Sequence, residues 1–169
     1  MEEEASRFDD PAFSPMVSLE MNIAMFKSQW QFCDEIAEYI SDILGQGHSD
    51  PARYSNFLSV AANELIEFAF RATDKRGRIS FSLYRSATFN RLRIMFPYEE
   101  EVAHKHTKPR SSGKTQPLDS GSGHLVARSD RTALLNSLTT IFGAAIRIEK
   151  DDVDGIEIVA DFPSAEDFQ

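Results

Sequence analysis

Asn63, Glu64, Glu67 and Phe68 are the residues of this chain whose types and spacing come nearest to a reaction centre. On a helical wheel Phe57, Ala61, Leu65 and Phe68 share one stripe, with Leu58, Ala62 and Ala69 beside it, and Glu64 falls at its edge. A carboxylate half surrounded by apolar groups can have its pKa raised by desolvation toward the range useful for a general base. A plain helix-surface glutamate is an equally weighted alternative. Glu67 precedes Arg71 by four residues, and a surface ion pair worth ~0.3–0.5 kcal/mol accounts for both. Phe68 closes the apolar stripe and offers no polar atom to a reaction. Buried instead, the ring favours folding by roughly 1.5–3 kcal/mol.

A second candidate is the string Asp119-Ser120-Gly121-Ser122-Gly123. The backbone N–H groups of Gly121, Ser122 and Gly123 could meet phosphate at the start of a helix, although a flexible hinge explains the glycines equally well. His104, Lys105, His106, Lys108, Arg110 and Lys114 form a local basic cluster, read first as solvated loop. His104 and His106 are spaced like metal ligands on a strand, yet no third His or Cys has suitable context, so no metal site is expected. Cys33 lies in an apolar helical stripe and reads as a structural thiol. No nucleophile elbow, P-loop, paired-cysteine motif or dinucleotide fingerprint occurs, which leaves hydrolase and oxidoreductase chemistry without support.

The elements that must position these residues follow from periodicity. Residues 1–15, with Glu2, Glu3, Glu4, Asp9, Asp10, Pro11 and Pro15, read as a flexible acidic tail. Val17, Leu19, Met21 and Ile23 alternate with polar residues as in a half-buried strand. Phe26, Trp30, Cys33, Ala37, Ile40 and Leu44 then predict an amphipathic helix over 26–45. Asp50 and Pro51 open a second helix that runs to about Thr73. Two strands around Ile79–Leu83 and Leu92–Phe96 follow. Residues 97–128 lack periodicity and read as a long lid, after which Ser129 or Asp130 caps a helix closed by Gly143. Ala145–Ile148 and Ile156–Phe162 give the last two strands, and 164–169 a C-terminal tail. The order implies an α+β fold, a two-layer α/β sandwich in which about three helices cover one face of a mixed sheet, in a single domain over 16–163.

The segment Ala62-Asn63-Glu64-Leu65-Ile66-Glu67-Phe68-Ala69 resembles the nucleotide-binding N-box of the GHKL (histidine kinase-like) ATPases, in the branch of stand-alone anti-sigma-factor serine kinases. That branch reads Glu-Leu-x-x-Asn-Ala, so Phe68 stands where the magnesium-holding asparagine belongs. The family's adenine-binding aspartate and Gly-x-Gly are also missing after the strand that ends at Pro97, where Tyr98-Glu99-Glu100-Glu101 follows. The predicted element order is similar to the family's across about 16–163. The resemblance implies a regulatory protein-binding module of a bacterial partner-switching or two-component-linked circuit, with lost or weakened ATP chemistry and no cofactor. Its partner would be a STAS-type anti-anti-sigma protein, a sigma factor or a response-regulator component. A homodimer is also implied, with Trp30, Phe32 and Tyr39 as candidate anchors. The alternative is an active protein serine kinase that uses ATP and magnesium, with Glu64 as base and Gly121 and Gly123 at the phosphates. A third reading is a nucleotide sensor that needs no metal.

Composition limits the remaining classes. A chain of 169 residues with 41% hydrophobic content can bury one core. A net charge of −9 argues against nucleic-acid and anionic-membrane surfaces, which need clustered Lys and Arg. With no signal peptide pattern and no long apolar run, the expected compartment is cytoplasmic.

Overall fold

The computed structural model describes residues 13–73, 76–97, 122–151 and 155–164, with backbone alone for 122–131 and 151. The chain runs β1 (Ser14–Asn22), α1 (Ile23–Phe26), α2 (Gln31–Gly45), α3 (Pro51–Ala72), β2 (Arg78–Arg85), β3 (Phe89–Pro97), α4 (Ser122–Phe142), β4 (Ala145–Asp151) and β5 (Gly155–Pro163). The fold is α+β, a five-stranded open sheet in the order β1-β2-β3-β5-β4.

Every neighbouring pair in that sheet is antiparallel, which corrects the mixed sheet expected from sequence. Three helices, the short α1 followed by α2 and α3, separate β1 from β2, and the chain returns to pair beside β1 in the opposite direction. The single helix α4 does leave β4 running parallel to β3, but β5 inserts between them and pairs antiparallel with both. Element order carries no information on that insertion.

The predicted helix over 26–45 is two helices. Asn22 caps α1, its Oδ1 accepting from the Ala24 N–H at 2.8 Å, and Phe26 ends it fully buried. A turn at 27–30 precedes α2. Phe26 and Cys33 are both in the core, and their spacing suits one continuous helix as well as two, so periodicity alone could not find the break. Gly77 explains the geometry: its carbonyl accepts from the Ile23 N–H at 3.0 Å, and at φ 94° an added Cβ would lie 2.8 Å from Pro97 Cγ.

The expected N-cap of α3 is present, with Asp50 Oδ1 accepting from the Arg53 N–H at 3.2 Å and Pro51 in the first turn. Its buried face is Tyr54, Leu58, Ala61, Ala62, Leu65, Ile66 and Ala69. This face packs with Cys33, Ile36, Ala37, Ile40 and Leu44 of α2 over Ile79, Phe81, Leu83, Leu92, Ile94, Phe96, Ile158 and Phe162 of the sheet. From α4, Leu138 and Phe142 join the core, the Phe142 ring meeting Phe57 edge-on at 4.5 Å. Strand alternation sends Ser80, Ser82, Tyr84, Arg91, Arg93, Met95 and Asp161 to the other face. There Arg91 grips Asp161 through two hydrogen bonds of 2.6 and 2.9 Å and lies under the Phe13 ring, while Arg93 pairs with the buried Glu157.

α4 already runs from Ser122, so the expected cap at Ser129 or Asp130 lies inside the helix and the expected lid boundary at 128 moves back. The glycines at 121 and 123 had marked that stretch as loop. The strand β1 likewise takes in Ser14 and Pro15 from the expected tail. The rest of the expected lid, 98–121, and residues 1–12 and 165–169 lie outside the described residues. Among the described residues no helix is long and apolar enough to cross a membrane.

Candidate functional site

α3 carries two clusters of polar residues, one towards each end. At the C-terminal end, Glu64 is exposed, which corrects the reading of a carboxylate half enclosed by apolar groups. Tyr54 and Ile66 are both fully buried, and their participation rotates the buried arc of the helix by roughly 70° away from Glu64. The alternative of a helix-surface glutamate is the one observed. Phe68, one turn further on, is half-buried and packs against the core.

Around the same turns, Glu67 binds two partners. Its Oε1 accepts from Asn63 Nδ2 at 3.0 Å and its Oε2 from Arg71 at 2.9 Å, the ion pair expected from the spacing. The Arg71 guanidinium lies 5.6 Å from the Trp30 ring centre, and Trp30 meets Phe70 edge-on at 4.7 Å. Cys33 is buried beneath this array, and burial pushes its thiol up to about 11, with the Glu67 and Asp34 charges adding to the rise and Arg71 opposing it. A thiol held protonated is inert, in line with the structural role expected.

These residues do not fit a magnesium–ATP centre. Phe68 has no oxygen, and Asn63, the nearest asparagine, projects about 140° away round the helix. Its Oδ1 is buried with no hydrogen-bond partner among the described residues. No group of three or more His, Cys, Asp and Glu side chains that could hold a metal occurs among the described residues. Ser122 and Gly123 form the first turn of α4, whereas Gly121 and the basic cluster from His104 to Lys114 lie outside the described residues.

The cluster at the N-terminal end of α3 was missed in the sequence. The Tyr54 hydroxyl donates to the Pro163 carbonyl at 2.9 Å and accepts from Asn90 Nδ2 at 2.8 Å. Asn90 Oδ1 in turn accepts from Arg85 Nε at 3.1 Å, and Arg85 reaches on to the Leu44 carbonyl at 2.8 Å, at the C-terminal end of α2. The cation thus sits where the helix dipole favours it. His48 stacks on Tyr54 with ring centres 4.3 Å apart, and its Nδ1 accepts from the Asp50 N–H at 3.2 Å. Gly47, at φ 84°, makes the turn that brings His48 there. Burial raises the Tyr54 phenol, with the Asn90 hydrogen bond and the Arg85 charge opposing. The network ties the ends of α2, α3, β2, β3 and β5 together, and its Tyr54 hydroxyl is engaged as both donor and acceptor. The sequence signal was a tyrosine one turn after a helix cap; its hydrogen-bond partners Asn90 and Pro163 lie 36 and 109 positions away along the chain.

Two grooves accompany these clusters. One, of about 350 Å³, is lined by Asp42, Gln46, Pro51, Ala52, Ser55 and Asn56 where α2 turns into α3. The other, of about 320 Å³, lies between β1 and α2 and is lined by Val17, Ser18, Leu19, Glu35, Ile36 and Tyr39. Neither includes Glu64 or Phe68. Of the three aromatic anchor candidates, Trp30 and Tyr39 are 43% and 51% exposed, and Phe32 is half-buried against the core. No known protein family matches this chain, and comparison with curated proteins finds no significant relative.

Proposed function

We propose that the chain is a regulatory protein-binding module of a bacterial partner-switching or two-component-linked circuit, built on a GHKL-type anti-sigma-kinase-like fold whose ATP chemistry is lost or weakened. The observation that carries this reading is Phe68. Its ring packs against the core at the position where the N-box resemblance calls for a magnesium-holding asparagine. The exposure of Glu64 adds to it, because the apolar enclosure expected around the candidate base is not formed there. The order of elements, a strand and helices before a hairpin and then a helix and a second hairpin, also supports the kinase-like ancestry. The partners it implies are a STAS-type anti-anti-sigma protein, a sigma factor or a response-regulator component.

A phosphate-transfer assay tests the reading. Incubated with γ-labelled ATP, magnesium and a STAS-domain protein from the same genome, the chain leaves the partner unlabelled while co-eluting with it in gel filtration. Label on the partner that disappears with Glu64→Ala establishes the serine kinase instead.

A further inference from the structure

The two edges of the sheet are unequal. β4, at one edge, carries Arg147, Glu149 and Lys150, charges of the kind that keep an edge from pairing with another chain. β1, at the other edge, carries Glu20 as its only charged residue, and Arg78 of β2 already holds that carboxylate. Pro15 and the register shift between Pro15 and Val17 disrupt only the beginning of β1. From Val17 to Met21 the strand pairs regularly with β2 on one side, and among the described residues no strand pairs with its other side. Val17 and Leu19 lie opposite Leu83 and Phe81 on the helix-covered face, yet remain only half-buried. With Ile36 they floor the groove of about 320 Å³ beside α2, and Tyr39 stands exposed at its wall.

Charge decides what fits there. The exposed positions of α2 include Asp34, Glu35, Glu38 and Asp42, and no lysine or arginine occurs between Lys27 and Arg53. Glu35, Glu38 and Tyr39 share one helical face, and Glu35 lines the groove itself. A second copy of the chain paired through β1 would bring two such acidic helices alongside each other, which like-charge repulsion disfavours. A cationic strand gains attraction instead: its lysine or arginine stems lie along Val17, Leu19 and Ile36 while their charged ends reach Glu35 and Glu38.

We propose that the β1 edge and the adjoining groove bind an extended basic segment of a partner protein, added antiparallel or parallel as a sixth strand beyond the five present. Main-chain hydrogen bonds along Val17–Met21 supply affinity, and the acidic, aromatic groove selects the side chains on one face of the added strand. This deepens the partner-binding reading and rests on it, but it makes no use of nucleotide chemistry. The phosphate-transfer assay reports on the kinase-derived reading alone, so the two fail separately.

The test uses the full chain and a short acetylated, amidated and fluorescent peptide in which serine alternates with arginine, valine and arginine, beside its counterpart with glutamate for arginine. Anisotropy at low salt shows the arginine peptide binding at least about tenfold more tightly than the glutamate one, a difference that shrinks as salt screens the contact. Glu35→Lys combined with Glu38→Lys reverses the preference while far-ultraviolet circular dichroism stays unchanged, both side chains being exposed. Hydrogen exchange then shows amides of Val17–Met21 protected by the peptide and those of β4 unaffected. Failure of the arginine peptide to bind overturns the proposal, as does binding that ignores the charge reversal. Protection of β1 by self-association, concentration-dependent and present without peptide, overturns it in favour of a homodimer.

Discussion

The two ends of α3 use polar residues in opposite ways. Towards its N-terminus, Tyr54 is buried and hydrogen-bonded on both sides, and Arg85 closes the chain of contacts onto the end of α2. Towards its C-terminus, Glu64 faces solvent, Glu67 is occupied by Asn63 and Arg71, and Phe68 turns an aromatic ring to the core. The difference teaches that chemistry-bearing residue types on one helix can be separated by burial alone. The buried end consists of groups with matched partners and holds the fold. The exposed end resembles a catalytic motif in its letters, but Phe68 supplies no oxygen where a magnesium ligand would be needed.

Breaking the N-terminal cluster has the largest expected effect. Tyr54→Ala removes a fully buried ring and its two hydrogen bonds and should cost about 3–5 kcal/mol in urea unfolding. A cost below about 1 kcal/mol would show that the cluster does not hold the helices. Alkali should act next most strongly, through Cys33 of α2, which feels the Glu67 and Arg71 charges of α3, and through Tyr54. The Cys33 thiol is raised from 9.0 to about 11 in the fold, so its contribution is complete below pH 9 and is lost as pH rises towards 11. The loss should amount to about 2–3 kcal/mol, and Tyr54, also raised, steepens it from pH 10 upward. Comparing Cys33→Ala with the parent protein between pH 8 and 11 isolates the thiol's share, since the variant should show the shallower slope.

Asn90→Ala leaves the Tyr54 hydroxyl without its donor and Arg85 Nε without its acceptor, and should cost about 2 kcal/mol by the same unfolding measurement. The smallest effect belongs to the other end. Phe68→Asn restores the expected letter of the N-box but gives up a half-buried ring, and should lower stability by about 1 kcal/mol without creating magnesium–ATP binding. Calorimetric titration of that variant checks the second half: measurable heat from magnesium–ATP would mean that Phe68 alone keeps this helix from binding nucleotide.

Local patterns were legible in the sequence. Asp50 and Pro51 announced the start of α3, the alternation of Ile79, Phe81 and Leu83 announced β2, and the spacing of Glu67 and Arg71 announced their ion pair. What failed depended on partners distant in sequence. The direction of β4 relative to its neighbours is set by β5 inserting beside β3, which element order does not encode. Glu64 was placed at an apolar edge because the stripe was centred on Phe57, Ala61, Leu65 and Phe68, whereas packing against the sheet recruits Tyr54 and Ile66. Asn90 and Pro163 meet the Tyr54 hydroxyl in the core, which satisfies its polar end on burial. The unequal protection of the two sheet edges could be seen only once β1 and β4 were known to be the outer strands.

The central claim of the proposal is that the segment around Glu64 and Phe68, although it resembles a nucleotide-binding motif, does not bind magnesium–ATP. Thermal unfolding of the full chain with ATP, with and without magnesium, tests it most directly, because a ligand at 100 times its dissociation constant stabilises a fold by about 2.7 kcal/mol. The account predicts the same midpoint under all three conditions, ATP alone, ATP with magnesium, and neither. A midpoint that rises with ATP only when magnesium is present would contradict it.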